Sequence, residues 1–143
     1  MFASHSPHSR SSSQLSSLYT NVSVSGAAAG DRSGHELVAL LFDGLVGAIA
    51  RARGALQQGD IEGKSKAISH ALRIIGEGLR AGLNLQEGGQ LARDLNDLYS
   101  YIELRLTHAN LRNDETALLE STRLIKTLQD AWNQIAPQVR RGN

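Results

Sequence analysis

Residues 97–132, DLYSYIELRLTHANLRNDETALLESTRLIKTLQDAW, carry two amphipathic patterns that meet at the polar break Arg112-Asn113-Asp114. In the first arm Leu91, Leu95, Leu98, Ile102, Leu106 and Ala109 recur every three or four residues, which puts them on one face of a 3.6-residue helix. A second stripe on the same arm, Tyr101, Leu104, His108 and Leu111, points elsewhere, because each residue advances a helix by about 100°. In the second arm Leu118, Ile125, Leu128, Trp132 and Ile135 form one narrower stripe, with Glu120, Arg123, Lys126 and Asp130 mostly away from it. With so short a break the arms must run antiparallel. Asn113 is expected to cap the last helix and Asp114 to supply a first-turn acid, since free N–H groups and the helix dipole favour oxygen and negative charge there.

The rest of the chain extends that pattern. Ser33 and Glu36 have the capping-box spacing, so a helix is expected to start there and run to about Gln58. Its apolar residues, including Leu37, Val38, Leu40, Leu41, Phe42, Leu45, Ile49 and Leu56, cover well over half the circumference, more than one core contact requires. Gly59 ends this helix and Asp60 caps the next, whose core stripe is Ile61, Ile68, Leu72, Ile75, Leu79 and Leu83. Beside it runs a strip of small residues, Ala67, Ala71, Gly78 and Gly82, along which another helix could approach closely. Four segments on short turns predict an all-α, up-down four-helix bundle over residues 35–137. Residues 1–34 are read as a flexible tail with a short apolar, helical segment (Leu15, Leu18, Tyr19, Val22, Val24) tethered by SGAAAGDRSG, and residues 138–143 as a C-terminal tail.

Several function classes find no support in these residues. The net charge is +1 overall, with +1 before residue 35, −2 over residues 35–137 and +2 after. A slightly acidic body lacks the clustered Lys and Arg that phosphate backbones need, so nucleic acid is not expected as a partner. Without cysteine there is no disulfide framework, which fits a cytoplasmic location. No apolar run approaches the roughly 20 residues that span a bilayer, so no membrane insertion is expected. Gly59-x-x-x-Gly63-Lys64-Ser65 has one residue too few between its glycines for a phosphate-binding loop and no strand before it. No Glu has His three residues on, as a di-iron bundle requires, and the five histidines are scattered. No metal, cofactor or catalytic residue is expected.

A combination of short motifs does carry a resemblance: Glu36-Leu37-Val38-x-x-Leu41-Phe42-Asp43-Gly44, Leu98-Tyr99-x-Tyr101, Leu106-x-x-Ala109-Asn110-x-x-Asn113-Asp114 and Asp130-Ala131-Trp132. Over residues 18–132 the chain resembles the FliS family of flagellar secretion chaperones. The resemblance implies a cytoplasmic export chaperone that binds the disordered C-terminal segment of flagellin in apolar grooves, where the segment becomes helical and cannot polymerise prematurely. The flagellar export gate would be a further partner. It also implies that the N-terminal segment, through Tyr19, occupies part of that site. The expected flagellin contacts are Tyr19; Leu41, Phe42 and Leu45; the Ala71, Gly78 and Gly82 strip; and Tyr101, Leu104, His108 and Leu111. The alternative use of a surplus apolar face is a symmetric homodimer of structural bundles.

Overall fold

The computed structural model describes residues 18, 19 and 27–141, with side chains for residues 18, 19 and 34–135. Four helical segments follow one another: α1 (Ala27–Gln57), α2 (Ile61–Arg73) continued by a π-helical stretch (Ile74–Arg80), α3 (Leu85–Arg112) and α4 (Glu115–Arg141). Among the described residues there is no strand. Helix α1 packs on α2 and α4, and α3 on α4 and α2, which closes the ring of an all-α bundle. Cross-helix contacts run in opposite directions along each neighbouring pair. Arg51 meets His70 while Leu41 lies over Gly78, and Arg53 meets Glu115 while Asp43 meets Gln129.

Each turn is built from a cap. Asp60 accepts from the Gly63 N–H at 2.9 Å and Asn84 from the Glu87 N–H at 3.0 Å, satisfying donors that the first helical turn leaves open. Between α3 and α4 the roles differ from the sequence expectation. Asn113 is left-handed (φ 53°, ψ 47°) and closes α3 from its C-terminal side. Asp114 is the residue that caps α4, its Oδ1 accepting from Thr116 N–H at 3.0 Å and Ala117 N–H at 3.4 Å. Asn tolerates the left-handed region better than most residues, so it takes the reversal and passes the N-cap to its neighbour.

The first helix is longer than the capping-box spacing predicts. It begins at Ala27, so residues 27–34, expected as a flexible connector, are helical, and the 34/35 boundary falls inside α1. Alanine has the highest helix propensity, and lengthening an existing helix avoids the cost of nucleation, so Ala27-Ala28-Ala29 extends what the apolar body already holds. Residues 1–17 and 20–26 lie outside the described residues, as do the apolar positions Leu15, Val22 and Val24. The C-terminal helix likewise continues past residue 137 to Arg141.

The core contains Val38, Leu45, Ile49, Ile68, Ile75, Leu79, Tyr99, Ile102, Leu106, Leu118 and Ile125, all fully buried. Ile61 and Leu72 depart from the predicted stripe. Ile61 is exposed and Leu72 only partly covered, because α2 turns Lys64, Ala67, Ile68 and Ala71 inward, and burial passes to Ile75 and Leu79 in the π stretch beyond Arg73. Gly76 and Gly78, poor α-helix formers, lie in that stretch. Gly78 is also where α1 comes closest: a Cβ there would meet Leu41 Cδ2 at 3.1 Å. Helix α3 is interrupted at Gly89 (φ 59°, ψ −139°), a conformation open essentially to glycine alone.

Candidate partner-binding surface

Tyr101, Leu104, His108 and Leu111 form one exposed strip on α3, with Leu104 69 % and Leu111 77 % accessible. Their own helix dictates the strip, since Ile102, Leu106 and Ala109 on the opposite face are buried against the other helices. Polar contacts to α4 and its cap fix its edge. The Tyr101 hydroxyl donates to Glu120 Oε2 at 2.5 Å, Arg105 Nε donates to Glu120 Oε1 at 2.7 Å, and His108 Nε2 lies 3.3 Å from Asp114 Oδ2. The hydrogen bonds from Tyr101 and Arg105 hold the Glu120 carboxyl below its usual range; Glu120 in turn pushes the Tyr101 hydroxyl and the Arg105 guanidinium upward. The result is two protruding leucines beside a rail of charge, which suits an incoming amphipathic helix.

The other predicted contacts occupy different places. Phe42, Leu45 and Ala71 are buried in the bundle core, and Leu41 is half-buried across α2. Gly78 and Gly82 are partly covered, Gly78 directly beneath Leu41. Thus the small-residue strip admits α1 itself, and part of the apolar excess read in α1 is consumed by the chain's own packing. What α1 leaves outside is Leu37 and Leu40, the latter 64 % exposed. The structure therefore brings the four α3 residues together and separates them from the α1–α2 group.

Tyr19 is placed by a seat that the sequence did not specify in detail. Leu18 and Tyr19 are buried, and the Asn84 N–H donates to the Leu18 carbonyl at 2.7 Å. A side chain at Gly88 would come within 3.1 Å of Leu18 Cδ2, so the absence of one leaves the notch that Leu18 fills. The hydroxyls of Tyr19 and Tyr99 share a 2.7 Å hydrogen bond, and the Tyr19 ring stands edge-on to Trp132 with centroids 5.6 Å apart. Trp132 stacks on His35 at 4.2 Å and donates from Nε1 to the His35 carbonyl at 3.0 Å. Burial pushes both hydroxyls well above the ordinary tyrosine range, so both are neutral in the fold.

Sequence reasoning missed Lys64. Only 2 % exposed, it sends its ammonium to the Asn110 carbonyl at 2.8 Å and to Asn113 Oδ1 at 2.5 Å, while Ser65 Oγ donates to Asn110 Oδ1 at 3.0 Å. A cation at the C-terminal end of a helix meets carbonyls that have no partner within the helix. The residues that imitate a phosphate loop thus clamp the end of α3. The available signal was Asn110 and Asn113 themselves, two carboxamides beside a helix end.

Among the described residues, no group of His, Asp or Glu could hold a metal ion, and no helix is long and apolar enough to cross a membrane. A shallow hollow of about 360 Å³ on α2 is lined by Glu62, Ser65, Lys66, Ser69, His70 and Arg73, a set of mixed sign open to solvent.

The family described as "Flagellar protein FliS" matches residues 11–139. The flagellar secretion chaperone FliS of Salmonella typhimurium is 45 % identical over 120 residues, covering 84 % of this chain and 88 % of that protein. The protein of the same name in Escherichia coli is 38 % identical over 116 residues, covering 81 % and 85 % respectively. That of Bacillus subtilis is 30 % identical over 99 residues, covering 69 % and 72 %. The family match spans the strip on α3, the seat formed with Tyr99 and Trp132 and the Lys64 clamp alike, and the chain belongs to the FliS family.

Proposed function

We propose that this protein is a cytoplasmic, non-enzymatic export chaperone that captures the disordered C-terminal segment of flagellin as helix and presents it to the flagellar export gate. The observation that supports this most is a sealed bundle with large aliphatic side chains left outside it: Leu104 and Leu111 on α3, and Leu37 and Leu40 on α1. Covering a leucine contributes about 1.5–3 kcal/mol when burial is complete, and less for one already partly covered. Ordering a disordered segment costs about 2–5 kcal/mol. Two leucines on α3 would roughly offset that cost and leave little surplus. A stable complex therefore needs the segment to reach a second apolar place, which makes Leu37 and Leu40 part of the contact along with Tyr101 and His108. In this reading Leu18 and Tyr19 occupy a share of the surface at rest, and holding the segment as helix keeps it from polymerising.

Titrating the flagellin C-terminal segment into the full-length protein by calorimetry tests the proposal. Saturable binding with a negative heat-capacity change and a gain of helix by circular dichroism is expected. Absence of binding, together with a concentration-dependent dimer by light scattering, would instead assign the exposed leucines to self-association.

A further inference from the structure

We infer that the Leu18–Tyr19 seat is a polar-coded recognition site. It takes an aliphatic residue followed by tyrosine and rejects the same pair ending in phenylalanine. The inference rests on the capture reading above and concerns what replaces Leu18 and Tyr19 when that surface is loaded. Two fixed polar groups face the seat's occupant. One is the Asn84 N–H, which donates to the Leu18 carbonyl at 2.7 Å; the other is the Tyr99 hydroxyl, 2.7 Å from that of Tyr19. Tyr99 is completely buried, and Trp132, whose ring meets that of Tyr19, is 4 % exposed, so an emptied or apolar-filled seat leaves the Tyr99 hydroxyl without a partner inside the bundle.

The apolar part of the seat discriminates little. The Gly88 notch receives an aliphatic side chain, and the edge of Trp132 receives a ring, conditions that leucine–phenylalanine would meet as well as leucine–tyrosine. Hydroxyl recognition is asymmetric in the opposite way. A site built around a buried hydrogen bond penalises the analogue that lacks it, because the site's own polar group is then stranded. Choice of occupant therefore rests on Tyr99. A merely greasy helix can bind the Leu104–Leu111 strip without dislodging Tyr19, whereas a segment carrying an aliphatic–tyrosine pair can exchange with it.

The test uses full-length Tyr19→Ala, which vacates the ring's place, and the peptide SSLYTNVS (residues 16–23) alongside its Tyr19→Phe form. Binding is read from Trp132 fluorescence and from the Asn84 amide signal. The tyrosine peptide is expected to bind about tenfold more tightly than the phenylalanine form. On Tyr19→Ala/Tyr99→Phe the ratio should fall to about one or below. Equal binding on the first variant, or a preference that survives Tyr99→Phe, overturns the inference. Should Tyr19→Ala not hold its fold, urea unfolding of Tyr19→Phe, Tyr99→Phe and the double variant decides. Strong non-additivity supports the hydroxyl pair as the selective element, and simple additivity rejects it. Flagellin-segment calorimetry on the unmodified protein is read separately, so loss of capture with peptide selectivity intact would sink the chaperone reading and not this one.

Discussion

Replacing Lys64 by methionine isolates the clamp at the end of α3. Methionine keeps an unbranched apolar stem in a position that is 2 % exposed and removes only the ammonium, which donates to the Asn110 carbonyl at 2.8 Å and to Asn113 Oδ1 at 2.5 Å. Hydrogen bonds from a charged donor contribute about 1.5–3 kcal/mol each, so the gross loss is about 3–6 kcal/mol. Against this, methionine relieves the desolvation of a buried charge, a penalty of several kcal/mol for an ion fully out of water. Asn113 itself is exposed, so its carboxamide can turn to solvent after the change. We expect a net loss of about 2–3 kcal/mol, and with it a melting point lower by about 5–10 °C for a chain of this size. Urea unfolding of Lys64→Met, Asn113→Gly and the double variant provides the measurement. Glycine preserves the left-handed backbone at 113 (φ 53°) while deleting the acceptor. A coupling of at least about 1 kcal/mol between the two sites is expected. A neutral Lys64→Met, or two substitutions that simply add, would refute the clamp.

Other expectations follow from the same geometry. Leu45→Ala should cost about 3–5 kcal/mol by urea unfolding, as a fully buried leucine whose loss leaves a cavity; near-neutral stability would return Leu45 to the contact surface. Gly89→Ala should cost about 1–3 kcal/mol, because φ 59°, ψ −139° strains any residue with a Cβ, and an unchanged urea midpoint would contradict that backbone. Tyr19 and Tyr99 ionise above their ordinary value of 10.0 in the fold, so their contribution to stability is complete below about pH 10 and is lost as pH rises beyond it. Urea midpoints followed from neutral to strongly alkaline pH should fall above that point, and fall less in Tyr19→Phe/Tyr99→Phe.

The bundle was readable in the chain because amphipathic period and turn chemistry agree: the stripe through Ile102 and Leu106, and the caps at Asp60 and around residues 113–114, need no knowledge of neighbours. The strip from Tyr101 to Leu111 was readable for the same reason, as apolar residues on the wrong face of an already satisfied helix. Phe42, Leu45 and Ala71 were harder. An apolar residue on a helix that is apolar over most of its surface has no sequence mark that separates core from groove, and only the approach of α1 over Gly78 assigns it. Lys64 and Tyr99 were hidden for another reason, since each depends on a partner 46 and 80 residues away respectively. The early start of α1 shows propensity prevailing over a capping signal, because Ser33 and Glu36 fit a helix interior as readily as a helix start.

The most direct test of the central claim, that the exposed leucines of α3 are the landing surface, is calorimetric titration of the flagellin C-terminal segment into Leu104→Glu/Leu111→Glu beside the unmodified protein. Both leucines are more than two-thirds exposed, so the variant should keep its helicity and melting point. Its affinity should drop at least about tenfold, as charge is placed where apolar burial supplied the binding energy. Undiminished affinity in a fully folded variant would contradict the account.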